Sequence, residues 1–230
     1  KKEQDKESTL LSYYDDVVNK DLIKRYRIRK TEEIKNLIRF YLSNISCPIT
    51  FTSSGKFLHM SALSIERFST YLESSYIVFF LKRFSYKLKE QEKSPRKVYA
   101  VDTGLANTIG FQFSGNFGRL AENLVFLELK RRTCFNSYLE IYYWKSLAQE
   151  EVDFAVKKNE KVEELIQVCW NIQDIYTKKR EIGALLKAMA EFKLDKGLII
   201  TEDYENEEKL AGGKKIQYVT LRKWLLNISG

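Results

Sequence analysis

The sequence predicts an α+β chain in two domains, and three observations carry that reading. The first hundred residues run through helical periodicities into a pair of basic strand-like segments. The second half reads helix, three strands, helix, strand, strand, which is the order of one α/β layer pair. Between the halves, Asp102 to Phe117 holds three glycines and no strong periodicity, and is the expected boundary.

Bulk composition bounds the functional classes. At 230 residues, with 44% hydrophobic and 13% aromatic content, the chain can fill a large core or two small ones, so it is not a disordered chain. No apolar run reaches the roughly 18 residues of a membrane span, and no signal peptide is visible, so the expectation is a cytoplasmic protein without membrane contact. Three cysteines far apart suit a reducing compartment and argue against a disulfide framework. A single histidine, His59, gives no support for a His-based zinc site and reads as structural or surface. The chain opens on Lys, which fits a fragment or a processed product.

Net charge is +8 and unevenly placed. Lys82 to Lys97 holds seven cations against Glu90 and Glu92; Lys20 to Lys30 holds six against Asp21. Such runs suit a polyanion partner, because each neutralised phosphate releases counterions, although a solvated surface is the plainer reading of charge alone.

In order, SYYDDVVNKDLIKRY is an amphipathic helix without caps, so residues 1–29 should pack on something else. Lys30 to Asn44 is a second helix, with Ile34, Leu37, Ile38, Tyr41 and Leu42 at spacings of three and four. A turn at Pro48 and a short helix near Gly55–Met60 follow. A long helix then starts at Ser64, with Phe68, Tyr71, Leu72, Ile77 and Phe80 as its apolar positions. Arg83 to Leu88 and Arg96 to Asp102 read as two strands around the polar tip KEQEKSP. Three helices and a basic hairpin are the order of a winged helix, expected over residues 30–105. The third helix offers few side chains suited to base edges, so the expected contact is through phosphates, at Arg83, Lys87, Lys89, Arg96 and Lys97. Tyr86 is the one aromatic kept as a stacking candidate, and Lys178, Lys179 and Arg180 could extend the surface.

From about residue 116 to 230, GRLAENLVFLELKRR is a helix carrying Glu122, and YLEIYYW, EVDFAV and ELIQVCW are three strands. Strict alternation puts Asp153 on one face with Glu151 and Ala155, and Leu165, Gln167 and Cys169 on one face of the third strand. KKREIGALLKAMAEF is a helix with cations in its first turn, which opposes the dipole unless an acidic partner or phosphate is near. KGLIIT, IQYVTL and a short helix at Lys223–Leu226 close the chain.

A helix acid, a strand acid and polar residues two apart on a third strand are what a nuclease uses to gather a divalent metal. The order αβββαβ with Glu122, Asp153 and the Ile166–Cys169 strand resembles the restriction-endonuclease-like, or PD-(D/E)XK, fold, with a mixed sheet. More specifically, YYDDVVNKDL, KVYAVDTGL, GRLAENLVFLELKRR, YYWKSLAQEEVDF, LIQVCW and KKREIGALLKA resemble the C-terminal half of a group of archaeal and bacterial AAA-type ATPases. In that group a nucleotide-binding module precedes a winged helix and a nuclease-like domain. The resemblance implies that residues 1–29 trail from an ATPase lid, that ATP is bound by an N-terminal ATPase domain of the same protein, and that no G-x-x-x-x-G-K-[ST] loop should occur here; none does.

Carried over by residue, Glu122 matches the family's helix acid and Asp153 its strand acid, the two metal ligands for Mg²⁺ or Mn²⁺. The third strand should supply a carboxylate and then a lysine; Gln167 and Cys169 stand there instead. Gln brings an oxygen without charge, and Cys cannot replace a cation, so Cys169 reads as an inert buried hydrophobe. Glu151, Lys145 and Lys157 are candidates to compensate, or Asp153 could pair with either lysine. The expectation is a DNA-binding or assembly module of an ATPase, with a degenerate nuclease-like site. The alternatives are an active Mg²⁺- or Mn²⁺-dependent DNA nuclease using Glu122 and Asp153, and a protein-interaction platform in an ATPase oligomer, with a homo-oligomer left open.

Overall fold

The computed structural model describes residues 2–110 and 117–226. Part of the expected connector, 111–116, lies outside the described residues. The chain divides into two compact units: residues 1–81 with 95–116, and residues 82–94 with 117–230. The architecture is α+β, a helical N-terminal region followed by a region built on a mixed sheet.

The first unit begins with helix α1 (Lys2–Asp16), which continues as π-helix through Val17–Lys24. Helix α2 (Thr31–Ser43) buries Ile34, Leu37, Ile38, Tyr41 and Leu42, the stripe that its spacing predicts. Strand β1 (Pro48–Ile49) leads to α3 (Phe51–Leu58), capped by the reciprocal Thr50–Ser53 pair and closed by His59 in the left-handed region. His59 is exposed. Helix α4 (Ala62–Ser74) is capped by Ser61 and buries Ile65, Phe68 and Leu72.

The helix expected to reach Phe80 stops at Ser74, because Tyr76 turns left-handed (φ 55°) and the Ile77 N–H closes the end on the Leu72 carbonyl. The β-prone Val-Phe-Phe-Leu then forms strand β2 (Val78–Leu81). Arg83–Leu88 is not a strand. The hairpin partner of β3 (Arg96–Ala100) is β2, antiparallel, with Val78 opposite Ala100 and Leu81 opposite Lys97; β1 lies on the other side of β3. The polar tip contains helix α5 (Leu88–Lys93), whose lysines and glutamates favour helix over turn. Helix α6 (Thr103–Ile109), capped by Asp102, ends the unit.

The second unit is led by α7 (Phe117–Phe135) and the antiparallel strands β4 (Leu139–Lys145), β5 (Glu151–Lys158) and β6 (Lys161–Val168). Helix α8 (Ile175–Phe192) crosses to β7 (Lys196–Thr201), which is parallel to β6. Strand β9 (Lys215–Thr220) is parallel to β7, and β8 (Asn206–Lys209), a strand the sequence did not predict, pairs antiparallel with β9. Helix α9 (Leu221–Leu226) closes the fold. The sheet order is β4-β5-β6-β7-β9-β8.

Helix α8 covers one face, packing Ala184, Leu185, Ala188 and Met189 against Val152, Ala155, Leu165, Ile199, Ile216 and Tyr218. Gly197 permits that approach, since a Cβ there would stand 2.9 Å from both Leu185 and Met189. Its first turn is not at odds with the dipole: the helix starts earlier than expected, and Asp174 accepts from the Tyr176 and Thr177 N–H groups. Those bonds, the Thr177 hydroxyl foremost, hold the Asp174 carboxyl below its ordinary range.

Candidate functional site

The site is built where β5 and β6 run out of ladder. Opposite Tyr143 two residues of β5, Asp153 and Phe154, occupy the space of one, since Tyr142 pairs with Ala155 and Trp144 with Val152. This β-bulge breaks the alternation that would align Asp153 with Ala155. Val152 and Ala155 both turn toward α8, and Asp153 is re-aimed along the sheet.

Beyond the Phe154–Ile166 pair, side chains replace the ladder. The Gln167 Oε1 accepts from the Asp153 N–H (3.1 Å), and the Asp153 Oδ2 accepts from the Val168 N–H (2.9 Å). Each side chain thus satisfies the backbone of the other's strand. Both residues are buried, at 6% and 5% exposure, so these bonds replace water that cannot reach the amides. The Gln167 Nε2 donates to the Glu181 Oε2 on α8 (2.6 Å), and the other Glu181 oxygen accepts from the Arg180 guanidinium (2.6 Å). A continuous chain therefore runs Arg180–Glu181–Gln167–Asp153 backbone.

Above this chain is a cavity of about 430 Å³, lined by Gln149, Glu150, Glu151, Asp153, Gln167, Arg180 and Glu181 with two alanines. Its mouth is the β4–β5 turn, fixed by Gln149 at φ 69° and by the Ser146 hydroxyl donating to Glu150 (2.9 Å). Lys187 on α8 also binds Glu150. Glu122 lies half-buried in the second turn of α7, carries interactions of its own, and does not line this cavity. Among the described residues no group of three or more His, Cys, Asp or Glu side chains is assembled to hold a metal.

The lysines weighed as compensation are engaged by neighbours: Lys145 pairs with Glu151 (3.4 Å) and Lys157 with Glu140. Cys169 is 3% exposed, and burial, with Glu181 adding to it, pushes its thiol up to about 11, so it stays a neutral hydrophobe. Glu181 is the residue the sequence reading missed. Its signal was the helix KKREIGALLKAMAEF itself, whose first-turn cations call for an acidic partner or a phosphate.

The five residues expected to meet phosphates are not brought together as one hairpin. Arg83, Lys87 and Lys89 belong to the second unit, Arg96 and Lys97 to the first. Lys97 corrects the reading most sharply: on the central strand β3 it is 2% exposed and has interactions within the chain, so it cannot serve a surface polyanion. The Arg96 guanidinium stacks over the Phe51 ring (5.2 Å). Arg83 donates to the Lys145 carbonyl, Lys87 pairs with Glu90 (3.1 Å), and Lys82 with Glu92 (2.5 Å). Lys89 is exposed. Tyr86 is exposed too, its ring edge-on to Phe84. Of the flanking trio, Lys178 pairs with Glu208 and lies over the Tyr218 ring, and Arg180 is held by Glu181.

Comparison with known proteins adds a family context. Residues 1–115 match the family described as "Domain of unknown function (DUF8612)", and residues 117–224 match "Domain of unknown function (DUF4143)". Uncharacterized protein MJ1544 of Methanocaldococcus jannaschii is 36% identical over 96% of this chain and 50% of its own length. An uncharacterized protein of Haemophilus influenzae is 24% identical over 96% of this chain and 52% of its own. The chain therefore spans about half the length of the curated relatives it matches. No solved structure matches it significantly. Among the described residues no helix is long and apolar enough to cross a membrane.

Proposed function

The chain belongs to the family of domains of unknown function DUF8612, and from that premise we propose that it is a non-catalytic assembly module, the C-terminal part of a AAA-type ATPase. On this reading the first unit is a winged helix and the second a restriction-endonuclease-like scaffold whose nuclease site has been converted into a structural lock. One observation carries the proposal: Gln167 uses both ends of its amide, on the Asp153 backbone and on Glu181, where a nuclease would present a carboxylate to a metal. The buried neutral thiol of Cys169, standing where a cationic lysine would be, points the same way. The chain spans about half the length of its relatives, and the proposal assigns ATP turnover to the portion it does not span.

Contact with DNA through the 82–97 stretch would rest on the exposed Lys87, Lys89 and Lys93, because Lys97 is buried and Arg83 is held by a strand carbonyl. Assembly within an ATPase oligomer gains by comparison. A nuclease reading keeps one argument, the four carboxylates of Glu150, Glu151, Asp153 and Glu181 around a single cavity. A cleavage assay separates the two. Supercoiled and single-stranded DNA are incubated with the chain or with Asp153→Ala, in Mg²⁺ and in Mn²⁺. The expected result is no metal-dependent cleavage by either protein. Cleavage lost in Asp153→Ala would make the chain an enzyme.

A further inference from the structure

We propose that the first unit carries a nucleotide-binding cavity, separate from the nuclease-like site, at the end of its N-terminal helical segment. A cavity of about 300 Å³ is lined by Tyr26, Arg27, Arg29, Arg67, Phe68 and Tyr71, with no acidic residue in its wall. That is the lower end of the range for small-ligand sites, and matches one nucleotide better than a strand of several.

The local chain explains how the site is made. The helix ends with the Ile28 N–H on the Ile23 carbonyl and the Arg27 N–H on the Lys24 carbonyl, which places Arg27 in the left-handed region at φ 50°. Such a terminus usually takes glycine; an arginine there costs order 1 kcal/mol and turns its side chain out of the helix line. The reversal lays Tyr26 flat on Tyr71 of α4, with ring centroids 3.9 Å apart and planes 8° from parallel. Phe68, buried, stands tilted beside Tyr71. Arg67 lies over the Phe68 ring and Arg25 over the Tyr26 ring.

Electrostatics then select an anion. Lys30 also lines the cavity but is turned to Glu33 (2.6 Å). Among the described residues Arg27, Arg29 and Arg67 make no ion pair, and Arg67 lies over the Phe68 ring. Three guanidinium groups around one small cavity without a carboxylate repel one another unless an anion joins them, and their forked donors match phosphate oxygens. The stacked tyrosines give the class its second half. A bare phosphate has no use for two half-buried tyrosines in the cavity wall, whereas a nucleotide presents a phosphate and a base, and base–aromatic stacking tolerates any base. The same chemistry is offered by a free mononucleotide and by a terminal nucleotide of a DNA or RNA strand.

The test measures binding of AMP, of a fluorescein-labelled ten-residue oligothymidylate, and of inorganic phosphate to the full chain. It compares wild type, Arg29→Glu/Arg67→Glu, Tyr71→Leu and, as a control on the other basic stretch, Lys87→Glu/Lys89→Glu, with thermal unfolding recorded for each. The account expects AMP or the oligonucleotide to bind, and affinity to fall about 10-fold or more in the arginine double variant at unchanged unfolding temperature. It expects Tyr71→Leu to weaken both nucleotides but not inorganic phosphate, and the lysine control to bind as wild type. AMP binding without the oligomer assigns a free nucleotide, and the reverse assigns a strand end. No nucleotide binding, full binding by Arg29→Glu/Arg67→Glu, loss in the lysine control instead, or inorganic phosphate binding as tightly as AMP would each overturn the proposal. None of these results bears on the Asp153 site.

Discussion

Two stretches of this chain look alike on paper and come to opposite uses. Lys20–Lys30 and Lys82–Lys97 are both dense in cations, and the longer stretch has the greater count. In the fold part of the longer one is spent internally: Lys97 is buried and Arg83 holds a strand carbonyl, while Lys87, Lys89 and Lys93 stay exposed. The shorter one directs Arg27 and Arg29 into a cavity beside stacked rings. A run of charge in sequence says how much charge is present. Where the neighbouring acids and carbonyls fall decides whether any of it is available to a partner.

The comparison can be broken by mutation. Lys97→Glu should be the most damaging change in either stretch, costing about 3–5 kcal/mol in urea unfolding, because it reverses a buried charge. A loss under 1 kcal/mol would mean the ammonium reaches water after all. Arg83→Ala should cost about 1–3 kcal/mol, leaving the Lys145 carbonyl without its donor. By contrast Arg29→Glu should change stability by no more than about 0.5 kcal/mol, as exposed surface substitutions do. Similar costs for Arg83→Ala and Arg29→Glu would erase the distinction between the stretches.

Glu90→Gln sharpens the contrast through pH. The Lys87 hydrogen bond, then that of Ser85, holds the Glu90 carboxyl below its ordinary value. A depressed carboxyl contributes stability that is present above the unfolded-state value and is lost as pH falls through the folded one. Wild type should therefore exceed Glu90→Gln slightly at neutral pH and converge with it in acid. Divergence on acidification would contradict the pairing.

Much of the second unit was legible. Helix, three strands, helix and two strands follow from periodicity and β-propensity. Strand β8 escaped since Asn-Glu-Glu-Lys carries no apolar residue, its place being fixed by pairing with β9. The first unit misled at α4 because Ile77 and Phe80 continue a helical spacing, while the stop is a left-handed Tyr that no propensity signals.

At the site, Asp153 and Gln167 could be singled out from the strand order, but not their relation. Period-2 counting fails at a β-bulge, so the exchange of backbone bonds between Asp153 and Gln167 could not be read from spacing. Glu181 is 14 residues from Gln167 and meets it only because α8 lies back over β6. The cavity at Tyr26 and Tyr71 depends on a helix terminus that usually announces itself with glycine and here does not.

The account rests on Asp153 and Gln167 being a structural lock, and urea unfolding of Asp153→Ala, Gln167→Ala and the double variant tests that most directly. Each single change should cost about 1–3 kcal/mol by leaving a buried amide unsatisfied, and the double should cost less than the sum, since the two share one junction. Singles that are neutral or stabilising would contradict it, because that is how residues held for chemistry behave when they are removed.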